Sequence, residues 1–165
     1  MKAVNVTVRR SIAAAVVALA VPVVSSCGFD VQTEQVYTPG VGVNDRTGSI
    51  DVLHALVVTG EDGSGTVIAG LVNNDQENPD TLAGVAGAGP DASVGVSTGG
   101  AQVEIPAGGS YQLADEGAIS VSATQVQPGR YIRLTFSFES AESVTMDVPV
   151  VANTDEFSDV PLPSA

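Results

Sequence analysis

The sequence predicts an all-β fold: an antiparallel β-sandwich that follows an N-terminal signal peptide and precedes a disordered acidic C-terminal tail. Three observations lead to this prediction. Apolar and polar side chains alternate with a period of two over several short segments. Turns rich in glycine and asparagine separate these segments. No helical period persists after the N-terminal apolar run.

Residues 1–26 have the organisation of a secretory signal peptide. The first ten residues carry Lys2, Arg9 and Arg10 and no acid, and an uncharged apolar run follows from Ser11 to Val24. This run is shorter than the roughly 20 residues that a membrane-spanning helix needs. We therefore expect export and removal of residues 1–26.

The cleavage region, Val24-Ser25-Ser26-Cys27, resembles the lipobox of bacterial lipoproteins. Two small residues suit a narrow protease site, and the thiol that follows can accept a diacylglyceryl group. A single acyl chain binds membranes only marginally, whereas two chains anchor stably. Because Cys27 is the only cysteine, it cannot form an internal disulfide or a cysteine-rich metal site. We expect lipid on Cys27 to hold the protein on the outer face of the cell membrane, with residues 27–35 as a tether.

The chain beyond residue 26 is strongly acidic. Its three basic residues, Arg46, Arg130 and Arg133, stand against 19 acidic ones, which leaves a net charge of −16. This balance excludes nucleic-acid binding, which needs clustered Lys and Arg against phosphate, and it disfavours docking on anionic lipid through charge. Metal ions, basic peptides or basic protein surfaces are favoured electrostatically. Solubility in the envelope explains the same charge and is preferred to a dedicated cationic ligand.

The first strands of the sandwich follow a turn-rich segment, Gly40–Gly48. The alternation in Ser49–Thr59 predicts a strand, and the residues EDGSG at 61–65 predict a hairpin turn, since glycine accepts positive φ without steric cost. Thr66–Val72 returns as the partner strand, and Asn73–Asp80 is a polar loop. One face of the first strand carries Ile50, Val52, Leu56 and Val58.

The second half of the domain has its clearest strands at the end. Gly84–Gly100 is rich in Gly, Ala and Ser and gives no clear strand, whereas Gln102–Ile105 predicts a short one. Tyr131–Glu139 and Ser143–Val150 alternate strictly and are close enough to form a hairpin. We place the sandwich domain at residues 36–151 and the disordered tail at 152–165, where three acids and two prolines favour an unfolded segment.

The order of several motifs resembles the periplasmic copper chaperones of the PCu(A)C type, hereafter PCuAC. The segments are Thr66–Asn74 (TVIAGLVNN), Asp80–Gly84 (DTLAG), Val103–Gly109 (VEIPAGG) and Pro128–Val150. Two further segments, Val36–Gly48 and Leu56–Gln76, make the chain still more similar to the actinobacterial envelope lipoproteins called LpqE. The resemblance covers most of residues 36–151 and implies a cupredoxin-like β-sandwich.

The same resemblance implies where copper ligands would lie. In the copper chaperones, methionine and histidine hold Cu(I), because thioether and imidazole are soft ligands. These ligands come from a stretch before the IPAGG-like turn and from a His-x-Met after the next strand. The matching stretches here are Asp91–Gln102 and Gly117–Ala123, and neither contains His, Met or Cys. The resemblance therefore transfers no copper ligand to this chain.

The remaining soft ligands are weak candidates for a metal site. His54 is the only histidine, and the alternation places it on the same face as Val52 and Leu56, which is typical of a packed or rim residue. Met146 alternates with Val144 and Val148 and is expected in the core. His54 and Met146 could meet in space, but two ligands would make a poor copper site.

Calcium binding and catalysis are further alternatives. The loop Asn73–Asp80 offers several oxygen ligands, and calcium takes six to eight, but their order does not match an EF-hand and a solvated turn is favoured. With one histidine and one cysteine, the chain offers no credible nucleophile-base set. A chain without lysine beyond residue 26 also lacks a phosphate-binding P-loop. The sequence does not predict an enzyme.

The sequence thus predicts a membrane-anchored cell-envelope lipoprotein that acts as a non-enzymatic binding or interaction module. Its partners would be the membrane, through the lipid on Cys27, and an envelope protein or other envelope component. The alternative is a copper-binding or copper-chaperone protein with a diverged metal site.

Overall fold

Ten β-strands dominate the structure, a computed structural model that describes residues 40–60, 62–99, 102–113 and 119–163. The strands are β1 (Val43–Asp45), β2 (Ile50–Thr59), β3 (Ser64–Asn73), β4 (Asp80–Gly87), β5 (Gly95–Ser97), β6 (Val103–Ile105), β7 (Ser110–Gln112), β8 (Ser120–Ser122), β9 (Tyr131–Phe138) and β10 (Val144–Ala152). Two 3-10 turns, Gly89–Asp91 and Asp155–Phe157, are added to them, and no α-helix occurs in these ranges. Within the same ranges, no helix has the length and hydropathy needed to cross a membrane.

The strands form a curled sheet whose two halves enclose the core. The order is β5-β8-β3-β2-β10-β9-β4-β6, with β1 also paired to β2 and β7 to β3. Strand β10 joins the halves, since it pairs with β2 on one side and with β9 on the other. The predicted all-β sandwich is thereby confirmed.

One pairing differs from the expected antiparallel pattern. Strands β2 and β10 run parallel, with Val150, Val151 and Ala152 opposite Val57, Val58 and Thr59. Parallel neighbours need a long crossover connection, and these two strands are separated by most of the domain. Local alternation could not reveal this pairing, because it shows only which face of a strand is buried.

The buried side chains of both halves form one hydrophobic cluster. Val52 and Leu71 reach it from β2 and β3, and Ile132, Leu134 and Phe136 from β9; all five are fully buried. Burial of a side chain of this size contributes about 2–3 kcal/mol. The alternation that predicts β9 therefore reflects a real inner face.

The predicted β9–β10 hairpin is confirmed, and the structure supplies its register. Val144 lies opposite Phe136 and Val148 opposite Ile132. Asp80, a buried residue at the start of β4, stabilises the turn between the two strands through hydrogen bonds. Its carboxylate accepts hydrogen bonds from the backbone N–H groups of Ser140, at 3.0 Å, and Ala141, at 2.8 Å.

The segment after β10, predicted as part of an acidic tail, has a defined path along its described part. The backbone N–H of Asn153 donates to Thr59 O at 3.0 Å. The Asn153 side-chain amide donates to the carbonyl oxygens of Phe157 and Val160. Further along, the hydroxyl of the buried Thr66 donates to Pro161 O at 2.5 Å. We call residues 153–163 the C-terminal segment.

Candidate functional site

The two stretches that the resemblance assigns to copper lie side by side. Strand β5, within the first stretch, pairs antiparallel with β8, within the second, and Val96 lies opposite Val121. The topology therefore brings together the regions that hold soft ligands in the copper chaperones. Here Val121 is buried and Val96 half-buried, and by sequence neither stretch supplies His, Met or Cys.

The hydroxyl groups at this β5–β8 edge offer only hard oxygen atoms. Ser97 pairs with Ser120, and Gly95 pairs with Ser122. Neutral hydroxyls are poor ligands for Cu(I), which prefers sulfur and imidazole nitrogen. The edge therefore joins the two stretches that the resemblance assigns to copper but lacks a soft donor set.

The prediction that His54 shares one face with Val52, Leu56 and Val58 is wrong, because the core cluster contains Val52 but continues with Ala55 and Val57 rather than with Leu56 and Val58. The register between β2 and β3 shifts between Leu53 and Leu56, which marks a β-bulge, and His54 is exposed. The extra residue of a bulge reverses the side on which later side chains point. Alternation alone cannot detect such an insertion.

The backbone of His54 is held in a left-handed conformation. Its φ is 53°, the only positive φ of a non-glycine residue among those described. The Asn44 Oδ1 atom accepts a hydrogen bond from the His54 N–H at 2.6 Å. A Cβ atom on Gly42 would lie 2.6 Å from the carbonyl carbon of His54, so the close approach of β1 to the bulge requires glycine there.

Met146 occupies the position that alternation predicts. It lies in β10 opposite Leu134 and packs, partly buried, against the core cluster. His54 is exposed to solvent, so the two soft side chains have different surroundings. Across the described ranges, no three His, Cys, Asp or Glu side chains are grouped so that they could hold a metal ion.

The oxygen-rich loop Asn73–Asp80 uses its oxygen atoms in internal hydrogen bonds. Asn73 Oδ1 accepts from the Asp75 N–H at 2.9 Å. Asp75 Oδ1 accepts from the N–H groups of Glu77 and Asn78, at 2.8 and 3.1 Å. The Asn78 side-chain amide also donates to Asp75. This bond contributes most to lowering the pKa of Asp75, and the two backbone bonds lower it further. The loop has the geometry of a self-satisfied turn, which favours the solvated-turn interpretation over calcium binding.

An ion pair joins the two strands of the β9–β10 hairpin. Arg133 Nε lies 2.8 Å from Asp147 Oδ1, and Arg133 Nη2 lies 2.9 Å from Asp147 Oδ2. The hydrogen bond from Arg133 holds the pKa of Asp147 below its ordinary value, and the same contact raises the pKa of Arg133. Asp91 Oδ2 accepts from the Arg133 backbone N–H at 2.9 Å, which ties the 3-10 turn to this hairpin.

An open groove of about 600 Å³ lies where β2 and β10 end together. Its lining includes Thr59 from β2, Gln127 and Pro128 from the loop before β9, and Asn153 and Leu162 from the C-terminal segment. Sequence reasoning missed this feature, because its walls come from segments that are distant along the chain.

The predicted lipidation site lies outside the described residues. The signal peptide at 1–26, Cys27 and the tether at 27–35 all fall within residues 1–39, which the structure does not describe. Lipid attachment at Cys27 and localisation on the cell membrane therefore stay predictions from the sequence.

Comparison with known proteins identifies the fold. No family model and no curated protein matches the chain. Among solved structures, the chain is similar to the apo PCuAC domain from PmoF1, with a TM-score of 0.56, 24% identity, and coverage of 67% of this chain and 99% of that domain. It is also similar to the copper-bound PCuAC domain from PmoF2, with a TM-score of 0.53, 22% identity, and coverage of 67% and 98%. The apo form of that domain gives a TM-score of 0.51.

These similarities show a shared fold at low sequence identity. They agree with the PCuAC-like sandwich that the motif order implies. They do not test the closer likeness to LpqE proteins, which stays a prediction.

Proposed function

We propose that this chain is a non-enzymatic binding protein of the cell envelope, anchored to the outer face of the membrane by lipid on Cys27. The observation that carries the proposal is the β5–β8 edge. It joins the two stretches that hold copper ligands in the copper chaperones, and it contains no soft ligand. A PCuAC-like frame with this edge is suited to contacts with another molecule rather than to Cu(I) ligation at that place.

The ionisable groups of the described residues support a non-enzymatic role. The lowered pKa values belong to carboxylates that accept hydrogen bonds from their own turns or from Arg133. Asp45, for example, bonds Thr47, and Asp62 bonds Ser64. Perturbed groups at active sites are usually buried in clefts and face a reacting atom, whereas these carboxylates lie at the surface and bond neighbouring groups of the fold.

The charge of the chain beyond residue 26 supports a cationic partner surface. A net charge of −16 repels nucleic acid and anionic lipid headgroups and attracts basic proteins. The lipid on Cys27 would then supply membrane attachment without help from the protein surface.

Replacement of Cys27 tests the anchoring. We expect Cys27→Ala to be exported but released from membranes, whereas Ser25→Ala, which keeps a small residue in the lipobox, should be retained. Fractionation of cells with immunodetection of the chain gives the readout. Retention of Cys27→Ala at the wild-type level would overturn the anchor.

Cross-linking of intact cells tests the binding role. The wild-type chain should recover a reproducible envelope component, and Cys27→Ala should lose it because the chain is no longer positioned at the membrane. Absence of any reproducible cross-linked partner would remove the support for an interaction module.

Copper binding is the second candidate, and a specific observation favours it: one structural neighbour is a copper-bound PCuAC domain. In this chain the site would have to be rearranged around His54 and Met146. Cu(I) titration of the full chain carrying Cys27→Ser, against a competing chelator, tests it. Tight binding that is lost in both His54→Ala and Met146→Leu would establish this candidate, and affinity unchanged by the two substitutions would exclude a site built on them.

A further inference from the structure

The groove at the joint end of β2 and β10 has the size of a small-molecule site. Its volume of about 600 Å³ lies within the range of about 300–1,000 Å³ that such sites occupy. The parallel β2–β10 pairing forms its floor, because Ala152 lies opposite Thr59 at the last step of that pairing. The groove is therefore lined in part by the end of β10, the strand that joins the two halves of the sandwich.

The wall formed by the C-terminal segment is fixed by hydrogen bonds. Asn153 bonds Thr59 through its backbone and Phe157 and Val160 through its side-chain amide. The bond from Thr66 to Pro161 holds the segment beside Leu162, which contributes an apolar surface to the groove. A wall held at both ends gives a ligand a preformed surface, and preformed surfaces lower the ordering cost of binding.

The lining carries no ionisable side chain. This is unexpected in a chain with 19 acidic residues. Without an Arg or Lys, the groove has no partner for an anion, and without an Asp or Glu in its lining, it has none for a cation. The lining chemistry therefore selects an uncharged ligand.

The lining of the groove combines hydrogen-bonding and apolar groups. Gln127 and Thr154 are exposed, and their side chains make no hydrogen bond to another described residue. Their amide and hydroxyl groups are free to donate and accept. Pro128 and Leu162 supply apolar surface beside them. A ligand with both hydroxyl groups and C–H faces, such as a sugar ring, matches this arrangement.

An exposed aromatic ring lies close to the same end of the sandwich. Tyr131 begins β9 opposite Pro149 and is 65% exposed. Pro149 precedes Ala152 by three residues, so Tyr131 stands roughly 10 Å along β10 from the groove. The ring offers an apolar body with a polar tip, a surface on which a further sugar unit can stack.

We propose that the groove binds an uncharged oligosaccharide, with one sugar unit between Gln127 and Thr154 and a later unit near Tyr131. The inference rests on the proposed function, because it names a ligand class for the binding module. It does not depend on the anchor or on a protein partner.

Nuclear magnetic resonance of the full chain in a sugar-free detergent tests the proposal. The probes are neutral tetrasaccharides of glucose, mannose and galactose, with glucuronate and glucosamine as charged comparisons and an uncharged acetylated proline amide as a peptide-like comparison. We expect saturable shifts at the amides of Gly60, Gln127 and Thr154 with at least one neutral tetrasaccharide. Glucuronate and glucosamine should give no saturable shift there.

Variants separate the groove from other surfaces. Thr154→Trp should fill the groove and weaken binding at least tenfold, whereas Ser143→Trp, at the opposite end of the β9–β10 hairpin, should not. Tyr131→Ala should weaken a tetrasaccharide several-fold and leave a monosaccharide unchanged. Native-like spectra of all three variants serve as the check on folding, because each site is exposed.

Several outcomes would overturn the proposal. They are a lack of saturable shifts with every neutral tetrasaccharide, equal weakening by Thr154→Trp and Ser143→Trp, or saturation by the proline amide alone, which would assign the groove to a peptide. Failure here together with a cross-linked partner that depends on Cys27 would refute the ligand class and leave the proposed function intact.

Discussion

His54 has a left-handed backbone in the middle of a long central strand, and that conformation has an energetic cost. For residues with a Cβ atom the left-handed region costs roughly 1–2 kcal/mol. Here the hydrogen bond from the His54 N–H to Asn44 and the close approach of Gly42 impose it. The strain is therefore maintained by β1, the strand that leads into the sandwich.

Substitution of His54 tests whether the conformation is strained. Glycine adopts positive φ without a steric penalty, so we expect His54→Gly to be more stable than His54→Ala by about 1 kcal/mol. The measurement is the free energy of unfolding in urea. If His54→Ala is instead the more stable of the two, the bulge is not strained. Asn44→Ala removes the acceptor of the His54 N–H and should lower the free energy of unfolding by about 1 kcal/mol.

The Asp147–Arg133 pair gives a pH-dependent contribution whose sign follows from the pKa shifts. The pKa of Asp147 is lowered by the hydrogen bond from Arg133. Its stabilising effect is therefore complete above the unfolded-state pKa of about 3.9 and is lost as the pH falls through the lowered folded-state pKa. The raised pKa of Arg133 would matter only in strongly alkaline solution.

Asp147→Asn should reduce stability at neutral pH and match the wild type in strong acid. Urea unfolding at several pH values gives the free energy of unfolding of each protein. The values for Asp147→Asn and the wild type should converge as the pH falls below the pKa of aspartate in the unfolded chain. The effect should be small, because both side chains are largely exposed. Ser143→Ala, beside the turn of the same hairpin, removes no charge and serves as control; it should leave the pH dependence unchanged. A stability difference between Asp147→Asn and wild type that persists in acid would contradict the assignment.

At the scale of secondary-structure elements, Asp80 connects β4 to the β9–β10 hairpin. Its carboxylate is buried and accepts backbone hydrogen bonds from Thr81, Ser140 and Ala141. Hydrogen bonds to a charged acceptor are stronger than those to a neutral one. One side chain therefore fixes the turn of the hairpin that carries much of the inner face.

Removal of this carboxylate should weaken the hairpin. We expect Asp80→Ala to lower the free energy of unfolding by about 3 kcal/mol, because it removes the buried acceptor of three part-buried backbone hydrogen bonds. Denaturant unfolding gives the value, and hydrogen exchange should show faster exchange at Ser140 and Ala141. Glu142→Ala in the same turn is the control and should change stability little. Equal effects of the two substitutions would refute the role of Asp80.

At the scale of the whole molecule, the excess of acid opposes the compact state. Residues beyond 26 carry a net charge of −16, and self-repulsion of that size destabilises folding. Salt shortens the range of the repulsion, from about 30 Å at 0.01 M to about 3 Å at 1 M. Ordinary surface ion pairs, by contrast, are weakened by salt.

The melting temperature should therefore rise with sodium chloride. Screening that relieves about 1 kcal/mol of repulsion corresponds to a rise of about 4 °C in a domain of this size. Calorimetry at about 0.01 M and about 1 M salt tests it. A melting temperature that stays constant or falls in salt would show that ion pairs outweigh the repulsion.

Alternation predicted the parts of the fold that depend on neighbouring residues. The inner faces of β9 and β10 follow from the alternation around Phe136 and Val144, whose burial requires a period of two. The short strands β5, β7 and β8 were not recognised, because three residues are too few to show a period and, unlike β6, they are not followed directly by a proline that marks their end. Their place depends on pairing with β3, or with one another, rather than on their own composition.

The candidate site also combines features that the sequence determined with features that only the tertiary structure decided. The absence of soft ligands from the β5–β8 edge is a property of residue types, so the sequence determined it. The bulge that turns His54 outward, the parallel β2–β10 pairing and the uncharged groove were decided only by the tertiary structure. They arise where segments far apart in the chain meet, and no local pattern of side chains records which distant backbone will lie beside a strand.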